Sequence, residues 1–349
     1  MDKEGVDLVA VGPSANMRYL AGYASHPDER LCLLLISATE ARVVVPSLNA
    51  EEWIAYTDLP LFQWADDAGP EDALAAALEG MLPVKRLAVD GTMRADFLLQ
   101  LLQSASPGDT APLSALDIPL RLRKSAVEIE AMLRAAAQAD LAMQAAIDLC
   151  KPGVTEQQVA WAAEEAFRLD GAEEVCFTLI ASGPNGAFPH HHSGERKLQI
   201  GDAVVIDIGA SLGGYKSDIT RMVFLGEPST EFVRAYEAVR KANEAGRAAV
   251  KPGVSAASVD VATRGVLEAA GLGEYFVHRT GHGLGLEIHE APWIMQGNDR
   301  LLEEGMVFSV EPGVYLPGKF GIRVEDIVAV TSKGVSTLTG FDHSLVVKS

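Results

Sequence analysis

The sequence predicts an α/β protein in two parts. A small N-terminal α/β domain takes residues 1–120, and a larger, internally duplicated α+β domain takes residues 121–349. Three observations carry this. Short apolar strands alternate with amphipathic helices over the first hundred residues, the pattern of a small α/β layer. The stretch Ser104 to Pro119, with Pro107-Gly108, Pro112 and Pro119, breaks that pattern and reads as a connector. Beyond it, Lys-Pro-Gly-Val occurs twice, at 151–154 and 251–254, each time between two helices and each time followed by a strand-rich section.

In chain order, Val6–Val11, Leu31–Ser37, Arg42–Val45 and Arg86–Asp90 read as strands, being apolar, short and bounded by turn residues. Glu71–Met81 and Arg94–Gln103 read as helices. Ser125 opens a long Ala-rich helix, with Ile129, Leu133 and Ala136 at helical spacing, that stops near Leu149. Thr155 then caps a helix over Glu156–Leu169. The grammar repeats: a helix from about Glu231 to Val250, the second Lys-Pro-Gly-Val, then Ser255 capping a helix that reaches Ala270. Pro-Gly alone is common punctuation, but matching caps and matching successors favour an internal duplication, which would place a site where the two halves meet. The strand-rich sections are Glu174–Ile180, Ala203–Gly209, Asp218–Leu225, Tyr275–His278, Met306–Tyr315 and Arg323–Val330.

Composition narrows the function classes. Lys plus Arg is 29 against 48 Asp plus Glu, a net charge of −19. Such a surface repels phosphate backbones and anionic membranes, so nucleic acid and membrane partners are not expected. The apolar run Leu31–Ile36 is far short of the roughly 20 residues of a membrane span. Met1-Asp2-Lys3-Glu4 does not look like a secretory leader, so a cytoplasmic protein is expected. Cys32, Cys150 and Cys176 are scattered and form neither a disulfide framework nor a paired metal motif.

Some carboxylates stand where solubility does not explain them. Asp207 lies in Val204-Val205-Ile206-Asp207-Ile208-Gly209, and Asp218 follows 11 residues later in Ser217-Asp218-Ile219-Thr220-Arg221. Glu311 and Glu325 repeat the situation in Ser309-Val310-Glu311-Pro312-Gly313 and Arg323-Val324-Glu325-Asp326-Ile327. Taken singly, each is better read as an ion-paired or surface group. Four together are not, because a buried carboxylate must be paired, protonated or bound to metal. Arg221 and Arg323 are too few to pair them all. His282, flanked by glycines in Gly281-His282-Gly283-Leu284-Gly285, is by itself a structural hydrogen-bonder and beside four such carboxylates a metal ligand. The four carboxylates bring four negative charges and two divalent cations cancel them, so a dinuclear site is electrostatically reasonable. Five side chains fill two coordination shells only if two carboxylates bridge. A water between two such cations deprotonates readily and becomes a nucleophile.

These residues resemble the creatinase/prolidase/aminopeptidase P metallopeptidase family, which has the pita-bread fold with an internal pseudo-twofold repeat. The matching elements are IDIGA with Asp207, SDITR with Asp218, GHGLGLEIHE with His282 and His289, VEPGVY with Glu311 and RVEDI with Glu325. The resemblance covers about Arg121 to Ser349, and reaches the N-terminal domain more weakly through Asn16–Gly22. It implies that Asp207, Asp218, His282, Glu311 and Glu325 bind two divalent metal ions per subunit, with Asp218 and Glu325 bridging. It implies that Glu311 also shuttles a proton, that His190 and His289 contact substrate and the tetrahedral intermediate, and that Arg323 orients the ligands. Of the tract His190-His191-His192 only His190 fits, and the other two have no role on this reading.

The implied reaction is hydrolysis of the bond before proline, most like that of the compact microbial Xaa-Pro dipeptidases. A prolyl amide has no N–H to grip, so activation must come through the carbonyl. Some compact prolidases carry an arginine four residues after the second histidine, suited to a dipeptide's carboxylate, and here that position is Trp293. Arg30 or His26, in the polar loop His26–Arg30, is the expected replacement, presented to a partner subunit; the same loop also reads as a plain solvated turn. Aminopeptidase P, acting on longer peptides, is the alternative, consistent with Trp293 in place of a charge. Methionine aminopeptidase usually lacks the N-terminal domain, and a metal-free amidinohydrolase or a non-catalytic interaction module loses the five ligands. Four oxygen donors and one imidazole suit manganese, with cobalt and zinc compatible. A homodimer is expected from the resemblance.

Overall fold

The protein, a computed structural model, is described over residues 1–349, the side chains of residues 2, 115 and 117 apart. The chain divides into two compact units, Met1–Leu120 and Arg121–Ser349.

The first unit is a mixed sheet of β1 (Leu8–Val11), β2 (Leu33–Ile36), β3 (Ala41–Pro46), β4 (Leu61–Trp64), β5 (Arg86–Val89) and β6 (Asp109–Pro112), in the spatial order β4-β3-β2-β1-β5-β6. Its helices are α1 (Ala15–Ala21), α2 (Ala50–Tyr56), α3 (Glu71–Leu78), α4 (Ala95–Ala105) and α5 (Ser114–Arg121). Period-two alternation splits each strand between two cores. In β1, Leu8 and Ala10 join Leu74, Leu78, Phe97 and Leu101 of α3 and α4. Val9 and Val11 join Met17 of α1 and Trp53 of α2 on the other face. The sequence reading missed β4, β6, α1 and α2, and placed a bare connector where β6 and α5 lie. β6 reads Asp-Thr-Ala-Pro and is mostly exposed at the sheet edge, so it carries no apolar alternation to read.

The second unit opens with α6 (Ala126–Leu149) and α7 (Glu156–Leu169), followed by β7 (Glu174–Ser182), β8 (Ala203–Leu212), β9 (Tyr215–Lys216) and β10 (Ile219–Leu225). Then come α8 (Thr230–Ala249) and α9 (Ala256–Ala269), β11 (Gly281–Gly283), β12 (Glu290–Ile294), β13 (Val307–Val310), β14 (Gly313–Leu316), β15 (Phe320–Arg323), β16 (Asp326–Thr331), β17 (Gly334–Thr337) and β18 (Val346–Lys348). One sheet runs β18-β10-β8-β7, another β12-β11-β13-β16-β17, and β14 pairs with β15. Val204, Ile206 and Ile208 of β8 pack on Met143 and Phe167 of α6 and α7. Ala203 and Val205 face the opposite way, toward Phe232, Tyr236 and Val239 of α8. Asp207 therefore points to the α8 side.

The duplication is visible in the backbone. Gly153 N–H bonds the Leu198 carbonyl at 2.8 Å, and Gly253 N–H bonds the Leu302 carbonyl at 2.8 Å. Leu198 returns a bond to Val154, and Leu302 returns one to Val254, again 2.8 Å each. Both glycines have φ near +85°, which a residue with a Cβ rarely adopts. Thr155 caps α7 through Gln158 N–H and Ser255 caps α9 through Ser258 N–H.

Three expected strands differ. Tyr275–His278 is no strand: a 3-10 turn ends at Tyr275, and the carbonyls of Phe276 and His278 accept from the Arg264 guanidinium, at 3.0 and 2.9 Å, instead of from a neighbouring strand. The expected runs Met306–Tyr315 and Arg323–Val330 are each broken at the acid. Glu311-Pro312 separates β13 from β14, Val324-Glu325 separates β15 from β16, and Asp218 stands just before β10. Pro312 has no N–H to give a ladder, which enforces the first break.

Arg221, read as a cation for the carboxylate cluster, is used elsewhere. Its guanidinium pairs with Asp326 at 2.8 Å and donates to the carbonyls of Thr220, Glu325, Phe341 and Asp342. It is 1% exposed and Asp326 is 0% exposed. Arg221→Leu therefore removes a buried charge partner of Asp326, which keeps His343, Thr339 and Arg247, and leaves four carbonyls without their donor; it should lower stability by about 3 kcal/mol. Thermal unfolding checks this; a variant melting at the parent temperature contradicts it.

Candidate metal centre

The centre begins with a cross-strand pair. Asp207 of β8 and Thr220 of β10 are directly opposed. Thr220 Oγ1 lies 3.0 Å from Asp207 Oδ1 and 2.7 Å from Glu325 Oε2, and receives Arg323 Nε at 3.1 Å. Arg323 also donates to Asp207 Oδ2 and, at 2.8 Å, to the Tyr315 hydroxyl. One guanidinium thus fixes one carboxylate and the hydroxyl that orients a second.

The strand breaks turn the remaining acids inward, and backbone bonds set their positions. Glu325 N–H bonds the Thr220 carbonyl at 3.2 Å, and Glu311 N–H bonds the Thr280 carbonyl at 2.8 Å. Asn243 of α8, fully buried, bonds the Val310 carbonyl at 2.8 Å and the Val324 carbonyl at 3.4 Å, one residue ahead of each glutamate. Ser309 Oγ accepts His282 N–H at 3.0 Å and donates to Glu311 Oε1 at 3.1 Å.

His282 Nδ1 donates to the Gly283 carbonyl at 3.1 Å, which leaves the Nε2 lone pair free. Nε2 faces Glu311 Oε1 at 3.3 Å and Asp218 Oδ2 at 3.6 Å. Ligand atoms of Asp218, His282 and Glu325 all lie within 4.8 Å of one another, and all three residues are buried. Without a cation, acceptor faces acceptor, and titration responds accordingly. Burial, and then the charges of Glu325, Asp207 and Glu311, push Asp218 well above the ordinary carboxyl range. Burial, and then Glu311 and Asp207, do the same to Glu325. Burial raises Glu311 to about 7. Burial, with His289 next, lowers His282 to about 3 and keeps it neutral. Oxygen donors with one neutral imidazole are the donor set of a divalent metal, and the residues present fit one.

A cavity of about 870 Å³ collects these groups. It is lined by all five expected ligands, and by His190, His289 and Arg323. His289 meets His282 edge-to-face at 4.2 Å, and burial, then Arg279 and His190, lower its pKa. Trp293 is not among the described lining residues; it pairs with His282 across β11 and β12 and lies under the Arg279 guanidinium. Arg30 and His26 belong to the first unit, where Arg30 is shared among Asp66, Asp28 and Glu29.

Several supporting residues had no sequence signal. Glu156, fully buried, accepts Ser182 N–H and Oγ–H, Asn185 Nδ2, His191 Nε2 and Gly194 N–H, and so ties down the segment that carries His190. Burial pushes its pKa up, but these bonds outweigh it and hold the group ionised below the ordinary range. His191, without a role in the sequence, is one of its anchors. Thr220, Asn243, Tyr315 and Arg279 were likewise passed over; a buried Asn on the apolar face of α8 was the one legible hint.

Comparison with known proteins gives a consistent picture. Residues 130–332 match metallopeptidase family M24, and residues 1–123 match the creatinase/prolidase N-terminal domain. The structure of dipeptidase PepE from Mycobacterium ulcerans is 39% identical with a TM-score of 0.90, covering 99% of this chain and 94% of that one. A prolidase structure from Thermococcus sibiricus is 36% identical with a TM-score of 0.95, covering 99% and 95%. The Xaa-Pro dipeptidase of Pyrococcus horikoshii is 33% identical in sequence over 99% of this chain and 96% of its own length.

The raised acids have a measurable consequence. In metal-free protein Glu311 keeps its proton up to about pH 7, whereas in the unfolded chain it releases it near 4.5. The folded form thus holds the extra proton between those values, and its stability falls as pH rises through them. Metal needs the ionised acids, so binding should release protons near pH 6 and fewer near pH 8. Stabilisation by added manganese should grow over the same range. Titration calorimetry in two buffers of different ionisation heat, with melting curves from about pH 5 to about pH 8, checks both. Metal binding with no proton release at about pH 6 contradicts the assignment.

Proposed function

The chain belongs to metallopeptidase family M24, and on that premise we propose that it is an Xaa-Pro dipeptidase. The observation that carries the reading is the buried set of carboxylate oxygens and one imidazole lone pair with too few internal cations to neutralise it. Two divalent cations, manganese first and cobalt or zinc as alternatives, would be held by Asp207, Asp218, His282, Glu311 and Glu325, and would polarise the scissile carbonyl and acidify a water there.

The chain's own residues do the rest. On the family resemblance Asp218 and Glu325, both buried, would be the ligands shared by the cations, with Asp207, His282 and Glu311 completing the set. Arg323, through Asp207 and Thr220, holds the oxygens in place before substrate arrives. Glu311, which lines the cavity beside His282, would take a proton at its carboxylate and pass it to the leaving prolyl nitrogen. His289, neutral at physiological pH, and His190 line the cavity and donate to the carbonyl oxygen as it gains charge. Because the prolyl nitrogen has no hydrogen, none of these contacts asks for one. The names of the relatives, dipeptidase and Xaa-Pro dipeptidase, favour a dipeptide over a longer substrate. The reading extends, on the family resemblance, to a homodimer in the cytoplasm; no helix here is long and apolar enough to cross a membrane.

Manganese-reconstituted protein should hydrolyse Ala-Pro and Leu-Pro with kcat/KM at least about tenfold above Ala-Pro-Ala, a difference of about 1.4 kcal/mol. A chelator should abolish the activity and manganese should restore it, while Asp218→Asn should lose metal and turnover together. Faster cleavage of the tripeptide makes the protein an aminopeptidase. Undiminished activity in the chelated, metal-free protein removes the metal reading altogether.

A further inference from the structure

We propose that Arg279, held over the Trp293 ring, binds the substrate's terminal carboxylate and so makes the enzyme select dipeptides. The proposal deepens the preceding reading and rests on it. Arg279 lines the same cavity as the ligand cluster, and its guanidinium stands 4.4 Å over the Trp293 ring. Trp293 in turn is the direct cross-strand partner of His282. The cation is therefore placed one side chain away from a ligand, and a dipeptide's carboxylate lies only one residue, about 3.8 Å from Cα to Cα, beyond its scissile bond.

Among the described residues the charge has no carboxylate partner. Arg323 is committed to Asp207, Thr220 and Tyr315, and Arg264 to Asp260 and two carbonyls. For the Arg279 guanidinium no carboxylate stands within pairing distance among the described residues. A half-buried cation over an indole, facing a cavity also lined by His289, Met295 and Phe188, is a site for an anion. Arg30 differs: Asp28, Glu29 and Asp66 already surround it, which leaves no net positive charge for a ligand.

The segment that carries Arg279 is also fixed in advance. Arg264 holds the carbonyls of Phe276 and His278, and Thr280 Oγ1 donates to the buried Asp260 at 2.8 Å. His278 Nδ1 donates to the Arg279 carbonyl at 2.7 Å, and its Nε2 accepts from the Tyr315 hydroxyl at 2.9 Å, which takes Arg323 Nη1. The backbone on both sides of Arg279 is thus tied to the metal centre, and the indole limits the side chain. Little ordering is left to be lost when a carboxylate arrives.

The test compares Ala-Pro with Ala-Pro-amide, and the affinity of L-proline with that of L-prolinamide by titration calorimetry. Arg279→Gln should raise KM for Ala-Pro about 30-fold, the low end for losing a partly buried charge partner, leave kcat and the amide nearly unchanged, and erase the preference for proline over prolinamide. Trp293→Leu should move the same values in the same direction by less, and Arg279→Lys should restore part of them. Equal losses on acid and amide, with metal content intact, overturn the proposal, as does an unchanged KM. A wild type that cleaves no Xaa-Pro substrate but shows an Arg279-dependent preference for proline overturns the peptidase reading and leaves the carboxylate site standing.

Discussion

Four carboxylates and a neutral imidazole cannot share one buried cavity unless positive charge joins them. Among the described residues a single guanidinium, Arg323, is in direct contact with that cluster. Everything around the cavity follows from this deficit. The acids are held where they are by backbone amides and carbonyls, by Thr220, Ser309 and Asn243, so that repulsion cannot push them apart. A structure that spends this many clamps on keeping like charges together is arranged for cations to arrive.

The duplication explains how the clamps come from both sides. The first half brings Asp207 and Asp218 on and before antiparallel strands; the second brings His282 within β11 and Glu311 and Glu325 at strand breaks. The halves keep their shared Lys-Pro-Gly-Val turn and its reciprocal backbone bonds, yet their anchors have diverged. Glu156 opens α7 and pins the segment that carries His190, whereas the corresponding position of α9 is Ala256. Asp260, inside α9, pins the segment before His282 through Thr280 and Arg264, whereas the corresponding position of α7 is Ala160. Each half uses one buried acid on its second helix to fix one loop of the cavity, at a different point of the helix. A symmetric frame thereby carries an asymmetric site.

Much of this was legible in the sequence, for definable reasons. An acid inside Val-Val-Ile-Asp-Ile is conspicuous because burial makes it costly, and glycines around His282 announce close backbone approach: a Cβ at position 281 or 283 would run into the backbone of Ser309 or Ala291. Period and caps gave α6 to α9 within a residue or two. What stayed hidden depends on partners far along the chain. Tyr275–His278 is apolar and short, like a strand, but its carbonyls are taken by Arg264. Glu311 and Glu325 sit in apolar runs that look continuous until Pro312 and the turn to β16 interrupt them. Thr220, Asn243, Glu156 and Arg279 are ordinary residues in ordinary contexts, and only the fold shows what each one touches.

Rigidity is graded across the cavity, and the grading follows function. Around the acid cluster Asp207, Glu325, Glu311 and His282 are each one or two residues from a sheet bond and are braced by Arg323, Thr220 or Ser309. On the mouth side His190 is exposed and stands on a segment that converges on one carboxylate. Removing Glu156 would release Ser182, Asn185, His191 and Gly194 together, because five donors share its two oxygens. A ligand shell must hold its geometry to a few tenths of an ångström to keep like charges in register. A residue that meets substrate only once it has entered gains more from moving with its neighbours than from being fixed alone.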